Sequence, residues 1–417
     1  MTPIDAREGK SPNRPSVFLV MSDFPFPARR NGLSIRYAPI LRHLATYCDV
    51  HLAVVSDTPM SLIDRADVAA CNVRLSTFTR VHKSQSLLTK IFARLIAMLP
   101  SSTPHPYVFH DRDAIRAFLR NAAGSKEFDV LLVALPVYAE LAEVAVRHKR
   151  FVVDAIDSCF LAMTRAPSTN PLFLYDRWKV RRWEQRIARR ASYWSYVSPH
   201  DLARVFGTRA DSNRIGVIPN GLYLDDYTSN AAEIEGLTIG FLGNMAFGPN
   251  IRAAQELVHI FRGVRQHVPT AKLLIIGRSP APEVQALGAE DGVHITGTVD
   301  SIWPFIHSTT VFAFPMEHGA GQQNKMLEAM VAGIPVVASP TANTGVLAPD
   351  PTAVRIATTR AEFVTTIVML LRDSIERERL GSAGRQFVHE RYSWAASLRM
   401  VDHHLIARQA SVGEGAR

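Results

Sequence analysis

The sequence predicts an α/β protein with two Rossmann-like, doubly wound domains that face each other across a cleft. Its 417 residues exceed one ordinary domain of roughly 100–200 residues. Short apolar runs alternate with amphipathic stretches, which is the pattern of βαβ units. The alternation stops at 220–236, where Asn, Gly, Asp, Thr and Ser collect, and then restarts. The expected division is a disordered start at 1–15, a first domain at 16–222, a second at 223–390, a helix packing back on the first domain at 391–410, and a flexible tail at 411–417.

In the first half, short apolar runs bounded by polar loops predict buried parallel strands. The expected strands are 16–21, 50–56, 130–134, 151–154 and 194–198. The amphipathic stretch 33–46 lies between the first two runs and predicts a helix.

The second half repeats the same order of short apolar runs and longer amphipathic stretches. The expected strands are 238–243, 272–277, 293–296, 310–314 and 334–339, and the expected helices are 250–267, 322–332 and stretches from 360 to about 407. In such sheets ligands bind beyond the carboxyl ends of the strands, so the loops after these runs are the places to search for a site.

Composition limits the class of protein. The chain is 47% hydrophobic and 20% charged, which excludes wholesale disorder. Its net charge of +9 is compatible with nucleic acid, an anionic membrane or phosphorylated ligands. Three scattered cysteines favour a reducing compartment over a disulfide framework or a zinc site. No apolar leader and no span of about 18 apolar residues occur, so we expect a cytoplasmic protein.

The most informative segment runs from Phe314 to Met330 and contains Gly319-Ala-Gly321 directly before a predicted helix. Free backbone N–H groups at a helix start form an anion site, and small residues let a ligand approach closely. Lys325 in the first turn could neutralise a phosphate, and Glu328 could accept hydrogen bonds from the two hydroxyls of a ribose. The alternative is an ordinary loop-to-helix junction with a solvated Lys/Glu pair.

The whole pattern Gly-Ala-Gly-x-x-Asn-Lys-x-Leu-Glu-Ala-Met, followed by Gly333-Ile-Pro-Val-Val337, resembles the donor-binding signature of retaining GT-B glycosyltransferases of family 4. It is most similar to bacterial exopolysaccharide and exosortase-associated sugar transferases. Other segments resemble the family in order, and the resemblance runs from about 16 to 405: the glycine-containing loop 25–36, Pro219-Asn-Gly221, Phe241-Leu-Gly-Asn-Met245 with Pro249-Asn250, 274–277, 296–299 and Tyr392-Ser-Trp394.

The resemblance implies a set of residues for the nucleotide-sugar donor. These are Gly32, Gly243, Asn244, Arg252, Arg278, Glu317, Gly319, Ala320, Gly321, Gln323, Asn324, Lys325 and Glu328. Two departures affect it. Ala320 stands where many members have a first glutamate, so the amides of 319–321 or Glu317 would contact the sugar instead. After the first strand of the second domain Arg252 is the only nearby cation, so Arg278 and Lys325 could supply the missing charge; each could also be only a surface cation.

In the first domain, Asp154 and Asp157 are the best acidic candidates because they end a predicted strand. We place Arg36, Asp154 and Asp157 on the acceptor side, with Asp157, Lys325 and Glu328 as catalytic candidates. The alternative is that one aspartate caps the next helix. The strand where the family often has a histidine offers none, and His110 is less well placed.

Two basic, aromatic-containing stretches, 86–99 and 176–190, are typical of helices that contact an anionic membrane face. The second carries seven cations and two tryptophans. Alternatively, their apolar sides pack on the sheet and the cations simply point to water.

The resemblance therefore implies a retaining, metal-independent hexosyltransferase without a cofactor. It would move a glycosyl unit from a nucleotide diphosphate sugar to a saccharide or lipid-linked acceptor in bacterial surface-polysaccharide or glycolipid synthesis, with peripheral membrane contact. The alternatives are a sugar-nucleotide epimerase or hydrolase of the same fold, and a non-catalytic sugar-nucleotide-binding subunit. Nucleic-acid binding has no support beyond charge.

Overall fold

The structure is a computed structural model of the 417-residue chain. It describes residues 14–27, 32–80, 99, 103–104, 111–164, 169–207, 213–222, 236–317 and 322–407. The chain forms two compact units. The first comprises residues up to Pro219 together with the segment from Leu398, and the second comprises Asn220–Ser397.

The first unit is built on a parallel sheet with the strand order β3-β2-β1-β4-β5-β6-β7. Its strands are β1 (Ser16–Met21), β2 (Asp49–Ser56), β3 (Arg74–Thr79), β4 (Phe128–Ala134), β5 (His148–Ile156), β6 (Tyr193–Tyr196) and β7 (Ile215–Val217). Its helices are α1 (Gly32–Tyr47), α2 (Leu62–Ala70), α3 (Arg112–Ala123), α4 (Ala139–Ala145), α5 (Cys159–Thr164), α6 (Pro171–Arg190) and α7 (Pro199–Phe206), with a 3-10 turn at Pro136–Tyr138. Phe18, Leu131, Trp183 and Trp194 are central to its core.

The second unit has a parallel sheet with the strand order β10-β9-β8-β11-β12-β13. Its strands are β8 (Thr238–Leu242), β9 (Lys272–Ile276), β10 (Val293–Ile295), β11 (Val311–Phe314), β12 (Val336–Ala338) and β13 (Arg355–Ile356). Its helices are α8 (Gly248–His267), α9 (Pro282–Gln285), α10 (Trp303–His307), α11 (Asn324–Val331), α12 (Pro340–Asn343), α13 (Arg360–Arg372), α14 (Ser374–Tyr392) and α15 (Trp394–Met400), with a 3-10 turn at Ala286–Ala289. Residues 398–400 of α15 already belong to the first unit, as does the π-helical turn at Val401–Ile406 that follows.

The strand order of each sheet reverses once, and that reversal shows where a site is expected. In the second sheet β8 lies between β9 and β11, with Gly240 opposite both Leu274 and Phe312. A crevice opens beyond the carboxyl ends of two strands whose following helices lie on opposite faces of a sheet. The loops after β8 and β11 are therefore the natural place for a ligand in this unit.

The apolar runs predicted the central strands well because buried parallel strands are nearly continuous in Val, Ile and Leu. The edge strands β3 and β13 were not expected. Their sequences, Arg-Leu-Ser-Thr-Phe-Thr and Arg-Ile, are polar or very short, and β3 is largely half-buried. The strand expected at 151–154 is longer at both ends, so Asp154 lies inside β5 and does not end it.

Within the described residues, the helices are too short or too polar to span a bilayer.

Candidate functional site

The segment singled out by the sequence connects β11 to α11 at the reversal of the second sheet. Helix α11 begins at Asn324, its N-cap Gln323 makes no side-chain capping bond, and its first turn has no acidic residue. This helix start is therefore left open for a negatively charged group. Gly319, Ala320 and Gly321 lie outside the described residues.

Lys325 is largely withdrawn from solvent rather than solvated. Its Nζ donates a hydrogen bond of 2.6 Å to Oδ1 of Asn250 and one of 3.4 Å to the sulfur of Met316, and it lies 5.4 Å from the centre of the Phe241 ring. Burial lowers its pKa to about 8. No carboxylate of the described residues lies within 4 Å of this ammonium, so its positive charge has no anionic partner in the described chain.

Glu328, one turn further along α11, is the second unusual group. Burial raises the pKa of its carboxyl to about 7, and no hydrogen bond reaches it from the described residues. Glu328 is half-buried, and a carboxylate that has lost part of its contact with water favours a hydrogen-bonding partner. The alternative from the sequence is a solvated Lys/Glu pair; in the structure both residues are half-buried, and no ion pair within 4 Å joins them.

Asn324 adds another polar group without a described hydrogen-bond partner on the same helix. Its side-chain oxygen is buried and has no hydrogen-bond partner among the described residues. It lies one turn before Glu328, and residues four apart on a helix are neighbours on its surface. At the start of one helix, the structure thus gathers an ammonium with no described carboxylate beside it and two acceptor groups with no hydrogen-bond partner among the described residues, and a ligand could serve all three.

The loop after β8 approaches this helix start through Asn250, which the sequence analysis noted only as part of a motif. Its amide Nδ2 donates a hydrogen bond of 2.9 Å to the carbonyl oxygen of Asn244, while Oδ1 accepts from Lys325. A Cβ on Gly243 would lie 2.7 Å from that Nδ2. Gly243 is thus required because the Asn250 side chain occupies the space beside it.

The two strand-end loops on this side of the sheet touch backbone to backbone. A Cβ on Gly277 would lie 1.8 Å from the carbonyl oxygen of Gly243. The amide of Met245 donates to the carbonyl of Arg278 at 3.0 Å, so Arg278 helps to fix the loop through its backbone. Its side chain, like that of Asn244, is exposed.

Arg252 and Glu317 lie together, but apart from Lys325. Both line a groove of about 230 Å³ that also includes Glu256, His259 and Arg360. Glu317 follows Met316 at a bend just after β11, where the amide of Met316 donates to the carbonyl of Phe314 at 2.9 Å. Met316 contacts Lys325, whereas Glu317 turns toward the groove.

Gln322 was missed by the sequence analysis, which named its neighbour Gln323. The Gln322 side chain accepts from the backbone amide of Asn220 at 2.9 Å and donates to its carbonyl at 3.0 Å. Gln323 is buried, and its carbonyl accepts from Met326 and Leu327 in the first turn of α11. The amide of Gln322 pairs with the N–H and C=O of Asn220 as the backbone of a neighbouring strand would, and no pattern in the sequence predicts such a contact.

The segment around Asn220 also packs against the last of the family-like motifs, Tyr392-Ser-Trp394. Leu222 donates to the carbonyl of Tyr392 at 2.7 Å, and a Cβ on Gly221 would lie 2.5 Å from the backbone of Trp394. Two motifs 170 residues apart in the sequence therefore pack against each other within the second unit.

In the first unit, Arg36 and Asp154 are fully buried and pair with each other. Arg36 donates to both carboxylate oxygens at 2.6 and 2.9 Å, and Tyr37 and Ser195 donate at 2.9 and 2.8 Å. Asp154 thus has four hydrogen bonds and no exposed surface. The pair ties α1 to β5, whereas Gly32, at the start of α1, is exposed.

Asp157 is half-buried just beyond the end of β5, in a turn held by two buried acids. Glu184 of α6 accepts from the hydroxyl of Ser158 at 2.9 Å and from the amide of Cys159 at 2.8 Å, and Asp201 accepts from the amide of Ser158 at 2.8 Å. Burial raises the pKa of Glu184 to about 7, although these bonds oppose the rise. At the start of α5, the hydroxyl of Ser158 accepts from the amide of Leu161, as an N-cap residue does.

Backbone strain marks the carboxyl ends of the two neighbouring strands β4 and β5. Leu135 has φ 70° and Ile156 has φ 62°, although neither is glycine. The left-handed region costs a bulky residue roughly 1–2 kcal/mol, and such residues cluster at functional sites. Asp157 directly follows one of them.

Helix α6 divides the cations and aromatics of 176–190 between two faces. Trp183 is buried, whereas Trp178 is 44% exposed, stacks on Tyr175 at 5.7 Å and lies under the guanidinium of Arg182 at 5.1 Å. Leu174 is also exposed, at 40%. We call Leu174, Tyr175, Trp178, Arg181 and Arg182 the α6 surface. The other basic stretch, 86–99, lies outside the described residues except for Leu99.

Within the part of the chain that the structure describes, no group of three or more His, Cys, Asp or Glu side chains is arranged to hold a metal ion.

Comparisons with known proteins show what this chain is similar to. The family model described as "Glycosyl transferases group 1" matches residues 236–373. The phosphatidyl-myo-inositol mannosyltransferase of Mycobacterium leprae is 29% identical over 234 residues, which are 52% of this chain. The match covers 58% of that relative, so this chain spans less than two thirds of its length.

Solved structures agree with the fold over nearly the whole chain. Alr3699/HepE of Anabaena in complex with UDP and glucose superposes with a TM-score of 0.62 at 14% identity, covering 94% of this chain and 100% of the other. Sucrose-phosphate synthase of Thermosynechococcus elongatus gives 0.63 at 14% identity, covering 95% and 100%. The chain therefore has the GT-B fold, and residues 236–373 form a domain similar to the group 1 glycosyl transferases.

Proposed function

We propose that this protein is a retaining glycosyltransferase that uses a nucleotide diphosphate sugar as donor and a saccharide or lipid-linked acceptor. The observation that carries the proposal is a set of three polar groups at the start of α11. The Lys325 ammonium has no carboxylate partner among the described residues, and the Glu328 carboxylate and the Asn324 amide oxygen have no described hydrogen-bond partner. A nucleotide diphosphate supplies an anion, a diol and further polar groups, which match this set. The similarity of 236–373 to group 1 glycosyl transferases, and a structural neighbour described with UDP and glucose, support it.

In this proposal Lys325 and the backbone amides at the start of α11 receive the diphosphate. The bond from the anomeric carbon to the phosphate oxygen breaks, and negative charge grows on the leaving diphosphate as the sugar becomes oxocarbenium-like. An ammonium already held in place, in surroundings that exclude water, stabilises that charge without reorganisation. Glu328 accepts hydrogen bonds from the ribose hydroxyls and thereby fixes the position of the leaving group.

Retention requires the acceptor hydroxyl to attack from the face that the diphosphate leaves. Its oxygen forms the new bond to the anomeric carbon, and its proton passes to the departing phosphate oxygen. Lys325 and the backbone amides at the start of α11 stabilise the negative charge of the leaving diphosphate, and we propose that the step needs no metal. We place Asp157 on the acceptor side, because it lies at a strained strand end of the first unit.

Isothermal titration with UDP, GDP, ADP and their common sugar conjugates tests the donor site. We expect one nucleotide family to bind, and we expect Lys325→Met and Glu328→Gln each to weaken binding by about tenfold or more. Lys272→Met, which removes an exposed lysine of the same unit, is the matched control. The assignment fails if both variants bind the nucleotide as the unchanged protein does.

Product analysis then separates the alternatives. Transfer to a saccharide or lipid-linked acceptor with retained anomeric configuration supports the proposal. Isomerised sugar nucleotide or free sugar alone would indicate the epimerase or hydrolase, and binding without turnover against every acceptor would indicate a non-catalytic subunit.

We also propose that the α6 surface contacts an anionic membrane at the inner face of the cytoplasmic membrane, where a lipid-linked acceptor would lie. Exposed Trp178 and Leu174 beside Arg181 and Arg182 combine apolar insertion with attraction to acidic lipid. Sedimentation with phosphatidylglycerol vesicles should be weakened by Trp178→Glu and not by Arg120→Glu, an exposed change on α3. Equal sedimentation of both variants would contradict this contact.

A further inference from the structure

Asn250 holds the only described ammonium at the candidate donor site in an unusual way. Buried or half-buried lysines are ordinarily paired with carboxylates, which satisfy the ammonium and cancel its charge. Here the acceptor is a neutral amide oxygen at 2.6 Å. The protonated Lys325 is thus held in position without a carboxylate that would cancel its charge.

The orientation of that amide is itself fixed by its surroundings. Asn250 is 6% exposed, and its Nδ2 is committed to the carbonyl of Asn244 at 2.9 Å. The absence of a side chain on Gly243 makes the space that the amide fills. Because Nδ2 must face a carbonyl, Oδ1 must face Lys325, and the amide cannot turn a donor toward the ammonium.

The charged groups on the elements around Lys325 do not change this conclusion. Arg252 of α8 and Glu317 after β11 line the separate groove, and Glu328 of α11 forms no ion pair with Lys325. Strand β8 contributes the Phe241 ring, which favours a cation without neutralising it.

We propose that Asn250 is a positioning residue that directs the Lys325 ammonium toward the donor diphosphate while leaving its charge uncompensated. The proposal rests on the proposed function, since it assumes that an anionic donor binds at the start of α11. Asp at this position would hold Lys325 more tightly, but its carboxylate would compete with the phosphates. Residue 250 therefore contributes to the affinity for phosphate and not to the affinity for the nucleoside part.

Asn250→Asp tests this proposal. For the base that the unchanged protein prefers, the affinities of the nucleoside diphosphate and of the bare nucleoside are measured separately. We expect diphosphate affinity to fall by about ten- to a hundredfold while nucleoside affinity stays within about twofold. In the unchanged protein, diphosphate binding should weaken as the pH rises through about 8, where Lys325 loses its proton. In Asn250→Asp that weakening should move to higher pH, because a carboxylate stabilises the protonated lysine.

Asn250→Ser, a neutral change, keeps the test decisive if the aspartate variant fails to fold. It should lower diphosphate affinity without moving the pH at which binding weakens upward. Asn121→Asp, an exposed change on α3 of equal charge, is the control and should alter neither quantity.

The outcomes separate the two proposals. An unchanged diphosphate-to-nucleoside ratio and an unchanged pH profile in Asn250→Asp and Asn250→Ser would overturn the role of Asn250 while leaving the donor site intact. No binding of any nucleotide by the unchanged protein would overturn both.

Discussion

Replacing Glu328 by glutamine should make the ligand-free protein more stable and the nucleotide complex weaker. Burial raises the pKa of the Glu328 carboxyl from 4.5 to about 7. The folded protein therefore binds this proton more tightly than the unfolded chain does. The stability that results is complete below pH about 4.5 and is lost as the pH rises through about 7.

The size of the effect follows from that difference in pKa. At 1.36 kcal/mol for each tenfold change in proton affinity, ionised Glu328 costs the fold about 3 kcal/mol at pH 8 and under about 1 kcal/mol at pH 5. Glutamine has nearly the same shape and no charge to desolvate. We expect Glu328→Gln to raise the melting temperature of the ligand-free protein by about 5–10 °C at pH 8 and by much less at pH 5.

Calorimetry at both pH values, with and without saturating nucleotide, measures this. Glu378→Gln, an exposed change on α14, is the matched control and should have little effect at either pH. Because the ribose hydroxyls would lose an ionised acceptor, the nucleotide should stabilise Glu328→Gln less than the unchanged protein. An increase in the melting temperature of equal size at pH 5 and pH 8, or no increase at pH 8, would refute the reasoning.

Three further changes test other parts of the structure. Gly243→Ala should displace the Asn250 side chain and lower nucleotide affinity in titration calorimetry, whereas Gly248→Ala, whose Cβ would have no contact closer than 3.6 Å, should not; equal affinities would contradict the packing. Asp154→Ala removes the carboxylate that accepts two hydrogen bonds from the fully buried Arg36 guanidinium and should cost about 3–5 kcal/mol in urea unfolding, so a loss below about 1 kcal/mol would show that the pair is not buried in solution. Gln322→Ala removes two hydrogen bonds to the backbone of Asn220 and should lower the free energy of unfolding by about 1–3 kcal/mol in the same assay. An unchanged urea midpoint would contradict this.

The sequence was most informative where a local pattern and a local structure coincide. Apolar runs predicted the central strands, and the motif before Glu328 predicted a helix that begins within two residues of the expected place. Lys325 and Glu328 could be named because their spacing on one helix is a local property. The partners of these residues could not, because Asn250 is 75 residues from Lys325 and their contact depends on how β8 and β11 pair.

Polar residues in the first unit show the same limit. Asp154 is an acidic residue near a strand end, and a sequence does not reveal that Arg36, Tyr37 and Ser195 saturate it. Trp178 and Trp183 look equivalent in the sequence, yet one is exposed and the other is buried. Which side of a helix is covered depends on elements far away in the chain.

The left-handed conformations of Leu135 and Ile156 have a consequence for comparing this protein with its relatives. Either position would be relieved by glycine, which adopts such angles without steric cost. At the buried Ile156, glycine would also give up about 1.5–3 kcal/mol of side-chain burial, which offsets the relief of strain, whereas less burial is at stake at the half-buried Leu135. A lineage that keeps a bulky residue at position 135 is therefore one in which selection has acted on the shape of that turn, and this pattern can be read from an alignment without any assay.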